Sequence, residues 1–162
     1  MVKWLVFGGI GLLIGGFWLV GELGQAERDA SGSVVSSGDE SVLALREGDC
    51  VLNLGLEGAD SNVTDASVTL VPCSEPHVYE VYSVDTSAFG ALDQPNTSEF
   101  ERQGDDYCYS ALSLYTGDTS DEPEFMYTYL FPTDESWRQG DRELACLLHY
   151  DDYSLWSGSA RG

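Results

Sequence analysis

Four cysteines constrain this chain more than any other feature, since cross-links, metal ligands and thiolate nucleophiles each demand a different architecture around them. They are Cys50, Cys73, Cys108 and Cys146. Their chemistry depends on the compartment, and the N-terminal stretch MVKWLVFGGIGLLIGGFWLVG decides that. It carries one cation, Lys3, and then no charge over residues 4–21. As a helix that run is roughly 27 Å long, enough to cross a bilayer. Lys3 on one side, with Glu22, Glu27 and Asp29 on the other, keeps the N-terminus in the cytoplasm and puts the remainder outside. Residues 1–21 therefore read as an uncleaved signal anchor, with Trp4 and Trp18 as interfacial side chains near its ends. The alternative is a secreted protein, released by cleavage near Ala26 after the small residues of Gly24-Gln25-Ala26. Gly11 and Gly15 form a GxxxG pattern through which two such helices can pack as a homodimer.

An even cysteine count in an oxidising compartment reads as two disulfides, with three connectivities open. Cys50 and Cys73 sit at the ends of strands that a long hairpin would join, which favours that pair. Cys108 on a helix would then meet Cys146 on the last strand. A zinc site draws on paired ligands from tight knuckles, and no CxxC is present. A cysteine nucleophile would leave an odd thiol behind. The reading therefore assigns no metal, no cofactor and no catalytic residue.

Residues 22–41, ELGQAERDASGSVVSSGDES, read as a flexible acidic Ser/Gly linker. The folded domain is expected over residues 42–162. Strands are expected at 50–54, at 67–71 and at 78–84, the last with Val78, Glu80, Tyr82 and Val84 on one face. A capping box at Ser98 and Glu101 opens a helix. Its apolar face holds Phe100, Tyr107, Cys108, Ala111, Leu112 and Tyr115, with Gly104 as a mild weakness. Gly117 ends it. FMYTYLF at 125–131 is the strongest strand signal and Pro132 stops it. A turn or short helix carrying Trp137 and a last strand at 142–150 follow, then a polar Ser/Gly tail. Strands interrupted by one helix, without regular alternation, give an α+β domain with a mainly antiparallel sheet.

Lys and Arg total 7 against 28 Asp and Glu, a net charge of -21. Nucleic acid is excluded as a partner by repulsion of its phosphates. A cationic partner, or a salty environment, suits this charge. The acid run DTSDEPE at 118–124 lacks the spacing and central glycine of a calcium loop. The loop PCSEPH places Cys73 close to His77, one of only 2 histidines. His77 either closes that loop through a hydrogen bond or offers a contact on it. Pro72, Glu75 and His77, together with Trp137 and Arg142 on the later turn, form the expected binding surface. Trp137 is read as a core or rim anchor, and Arg142 as the partner of a carboxylate. The competing reading is an envelope hydrolase or inhibitor domain, with Glu75 and Glu80 beside His77.

Several of these stretches recur together. Gly48-Asp49-Cys50 opens the domain, and Val71-Pro72-Cys73-Ser74-Glu75-Pro76-His77 runs into Tyr79-Glu80-Val81. Cys108 lies on the helix. Pro132-Thr133 and Trp137-Arg138-Gln139-Gly140-Asp141-Arg142 precede Cys146-Leu147-Leu148, and the chain ends SGSARG. In this order and cysteine context the chain, from about residue 45 onward, resembles the septum formation-related domain family of actinobacterial envelope proteins. The resemblance implies a membrane-anchored or exported domain with paired cysteines and a link to the division septum. It implies no catalytic mechanism, cofactor or defined ligand. The function expected is a non-enzymatic binding or adaptor module whose partners are envelope or division membrane proteins.

Overall fold

The computed structural model describes residues 24–55, 67–90, 97–120 and 124–161. The expected membrane segment, with Gly11 and Gly15, lies outside the described residues. No helix among the described residues is long and apolar enough to cross a membrane.

In chain order the strands are β1 Glu27–Arg28, β2 Val34–Ser36, β3 Gly38–Ser41, β4 Cys50–Asn53, β5 Ser67–Val71, β6 Tyr79–Asp85, β7 Met126–Leu130 and β8 Leu144–His149. A 3-10 turn spans Val42–Ala44, and the α-helices are α1 Thr97–Thr116 and α2 Asp134–Arg138. Strands β3 to β8 form one six-stranded sheet in the order β3-β5-β4-β6-β8-β7, antiparallel at every pairing. The expected α+β class and its two disulfides are present. Cys50 joins Cys73, and Cys108 on α1 joins Cys146 on β8.

Strand β8, LACLLH, explains how the layers are arranged. All six of its residues are buried. Neighbouring side chains on a strand point to opposite faces, so a fully buried strand needs cover on both. Leu144, Cys146 and Leu148 face a layer made by α1 and Trp137 of α2, packed with Phe89, Phe100 and Leu112. Ala145 and Leu147 face the other way, into a layer with Val42, Leu45, Val51 and Val81.

That second layer corrects the linker. Residues 24–41 are expected to be a flexible tether, yet they pack against the domain. Ala26 and Val34 lie against the second core layer. β1 pairs with β2, and β3 pairs with β5 as the sheet's edge strand. Gly24 and Ala26 bond the backbone of Asp39 on β3. Gly38 on β3 leaves no room for a side chain, since a Cβ there would overlap the backbone of residues 24–26. Arg28 makes a two-pronged ion pair with Asp49 at 2.6 and 2.8 Å, and both side chains are largely buried. Composition misleads here because the segment's stability lies in backbone pairing and one ion pair, not in its own apolar content.

Two further expectations change for local reasons. β6 carries a bulge between Val81 and Ser83, so its alternation breaks. Tyr82 faces α1, whereas Val84 joins Val81 on the opposite layer. Gly104 is more than a weakness in α1. A Cβ there would stand 3.0 Å from the Tyr129 ring of β7, so glycine lets helix and sheet approach.

Candidate functional site

The two loops expected to share one binding surface stand apart. Residues 72–77 precede β6, and residues 137–142 precede β8. Because β6 and β8 are antiparallel, with Glu80 opposite Leu148 and Asp85 opposite Leu144, the two loops lie at opposite ends of the pair. The strand rise puts about 20 Å between those ends. Pro72, Glu75 and His77 therefore belong to one site, and Trp137 and Arg142 to another.

At the first end His77 is fully buried. Its Nδ1–H donates to the Glu75 carbonyl at 2.8 Å, which leaves Nε2 as a buried acceptor without a partner among the described residues. Its backbone exchanges two hydrogen bonds with Trp156, and the two rings stand 4.3 Å apart. Pro72 accepts from the Glu75 N–H to turn the loop, and the exposed Glu75 carboxylate accepts from Ser37. The second histidine, His149, is also buried, donates to the Tyr150 carbonyl and stacks on Tyr153 at 4.3 Å. A ring enclosed and tied to backbone in this way cannot reach a substrate. The hydrolase reading centred on His77 fails on that geometry.

Glu80, imagined as that hydrolase's acid, is fully buried and holds the C-terminal segment. It accepts from Tyr115 of α1 at 2.7 Å, from the Ser159 hydroxyl and from the Ala160 N–H at 2.7 Å. Burial first, and the Glu80 carboxylate second, push the Tyr115 hydroxyl up to about 12, so it remains a donor. Gly158 N–H donates to the Cys73 carbonyl, and the Arg161 guanidinium lies 4.7 Å over the Tyr115 ring. The polar tail is thus a strap across the first end. Its signal in the sequence is faint: a lone acid between valine-rich strand positions, and a run of small polar residues far away.

The second end is open. Thr133 caps α2 reciprocally with Ser136, and Trp137 is buried against Phe89 and Phe100. Arg142 is expected to pair with a carboxylate. Instead its guanidinium lies 3.5 Å over the Trp137 ring, and Nη1 donates to the carbonyls of Trp137 and Asp141. The stacked, carbonyl-bound geometry holds the turn shut on one side. On the other side a cavity of about 610 Å³ opens, lined by Leu43, Thr86, Gln139, Asp141, Arg142 and Glu143. Glu143 was not singled out by its sequence. Its carboxylate makes no hydrogen bond or ion pair among the described residues, and burial, with Asp141 nearby, pushes it up to about 7. A narrow crevice runs on from it between Val42, Leu130, Phe131 and Ala145.

A second cavity, about 400 Å³, lies beside the end of α1 against Tyr109, Ser113, Thr116 and Phe125. Its one carboxylate, Asp118, already accepts from the N–H groups of Ser120 and Glu124. Of these two cavities, the one at the turn holds a carboxylate without a partner among the described residues. Among the described residues no three His, Cys, Asp or Glu side chains converge as a metal ion would need.

Together these features define a disulfide-stapled α+β domain, closed at its histidine end and open at the turn before its last strand. The chain belongs to the septum formation family, whose model matches residues 47–159. No curated protein and no solved structure matches it.

Proposed function

We propose that this protein is a membrane-anchored, extracytoplasmic binding module that serves septum formation or envelope assembly by presenting the 139–143 turn to a partner. Family membership supports the setting. The observation that carries the binding role is the open cavity holding an unpaired, half-buried carboxylate. Groups shifted by burial inside a cleft cluster at functional sites. Residues 4–21 anchor the domain with its N-terminus in the cytoplasm. Gly11 and Gly15 supply a helix surface through which two copies, or one copy and a membrane partner, pack. The partner is an envelope or division membrane protein held at high local concentration by the shared bilayer.

The test is localisation in dividing host cells. A fluorescent fusion of the full chain is compared with one in which residues 1–21 are replaced by an unrelated membrane anchor. Enrichment of both at the septum places the targeting information in the folded domain. A uniform membrane signal from the full chain rejects the septal role.

A further inference from the structure

Glu143 stands in an unusual setting for a carboxylate. The turn Gln139-Gly140-Asp141-Arg142 leads straight into β8, and β8 is buried along its whole length. Glu143, one residue before it, is partly buried at the end of this inner strand. There it separates the open cavity from the crevice of Val42, Leu130, Phe131 and Ala145. The crevice is mostly apolar and the cavity is open, and Leu43, Asp141 and Glu143 line both.

The charged groups around it do not neutralise it. Arg142 is the nearest cation in the cavity lining, but its guanidinium is turned onto the Trp137 ring and the carbonyls of Trp137 and Asp141. Asp141 adds a second negative charge, and its Oδ1 accepts the Glu143 N–H. Asp85, which ends β6 opposite Leu144, accepts from the N–H and hydroxyl of Ser87. The 3-10 turn brings only Val42 and Leu43, and the end of β7 brings Leu130, followed by Phe131. Leu43 is 45 % exposed and forms an apolar wall of the cavity.

We propose that this cavity receives an alkylammonium group of a partner, the chemistry of a lysine side chain, with its methylene stem along Leu43 and its charge against Glu143 and Asp141. The inference rests on the reading of the turn as the contact surface and adds the class of group it takes. An unbranched apolar stem with a terminal cation matches an apolar wall that ends in an unpaired carboxylate. The net charge of -21 draws cations toward the domain, while the cavity selects among them. Binding is linked to protons. Glu143 must ionise to hold the cation, and its carboxyl titrates at about 7. Affinity therefore rises with pH, by about tenfold from pH 6 to pH 8 on simple linkage.

The full chain in detergent micelles is titrated with Nα-acetyl-lysine N-methylamide, and amide shifts are followed by NMR at both pH values. The expected result is saturable binding, with shifts confined to Leu43, Thr86 and residues 139–143, stronger at pH 8. The norleucine analogue, which keeps the stem and loses the charge, is expected not to bind. Glu143→Gln abolishes saturation and removes the pH dependence, with near-UV circular dichroism showing an unchanged fold. Asp151→Asn, an exposed acid beyond the other end of β8, leaves binding intact.

Retained binding in Glu143→Gln overturns the inference. So does equal weakening by Asp151→Asn, which would mean general attraction to a negative domain. The same Glu143→Gln protein, expressed as the fluorescent fusion, keeps the two readings distinguishable. If the probe fails to bind the wild type while the fusion still reaches the septum, the ammonium site falls and the septal role stands.

Discussion

Asp49 shows how one side chain ties distant parts of the sequence together. It sits in the Gly48-Asp49-Cys50 turn beside the first disulfide, accepts from Arg46 N–H at 2.8 Å and grips Arg28 on β1 with both oxygens. Removing one partner of a buried pair leaves the other charge uncompensated. Asp49→Ala is expected to destabilise the fold by roughly 3–5 kcal/mol, measured by chemical denaturation. A loss below about 1 kcal/mol would class the pair with exposed ion pairs. Glu143 makes the opposite prediction. Its folded-state carboxyl titrates at about 7 against an ordinary value of 4.5, so the folded state favours the proton. That contribution to stability is full below the ordinary value and is lost as the pH rises through 7. Glu143→Gln is expected to raise the thermal midpoint at pH 8 and to leave it near wild type at pH 4.5. An equal difference at both pH values would mean that the carboxyl does not titrate in this range.

At the scale of elements, close approach matters more than intrinsic preference. Gly104→Ala gains about 1 kcal/mol of helix propensity. Its new methyl must displace the Tyr129 ring, at a cost of about 1–3 kcal/mol. The expected outcome is a net loss of stability, and a rise in the thermal midpoint would show that β7 yields easily. The C-terminal strap is tested by Ser159→Ala, which takes one donor from the buried Glu80 carboxylate and is expected to cost about 1–3 kcal/mol. The sequence made the local elements legible: the apolar periodicity of α1, the aromatic alternation of β7 and the loop closed by Pro72 appear close to where they are expected. It concealed whatever depends on long-range pairing. Glu80 gives no sign that its partners are Tyr115, Ser159 and Ala160, and Glu143 reads as a surface acid until its place at the end of inner strand β8 partly buries it.

For the whole molecule, the two disulfides act on different layers. Cys50–Cys73 closes 23 residues at the histidine end, and Cys108–Cys146 closes 38 between helix and sheet. Loops of these sizes each restrict the unfolded chain by roughly 3–4 kcal/mol in the entropy model. Thiol titration of the denatured, unreduced protein is expected to find no free thiol. Two or more reactive thiols would reopen the assignment. The linker departs from its expected form at this same scale. The unbroken burial of LACLLH requires a second covering layer, and Ala26, Val34, Val42 and Leu45 are among the residues that provide it.

The inclusion of those residues in the fold sets a height. Only Glu22 and Leu23 separate the end of the uncharged run from Gly24, whose carbonyl already bonds to β3. With residues 4–21 in the bilayer as proposed, two intervening residues span at most about 10 Å. Such a domain cannot search the space above the membrane as a tethered one does. On that proposed anchoring it would act as a gauge held at the lipid surface, suited to partners whose contact groups lie at that level.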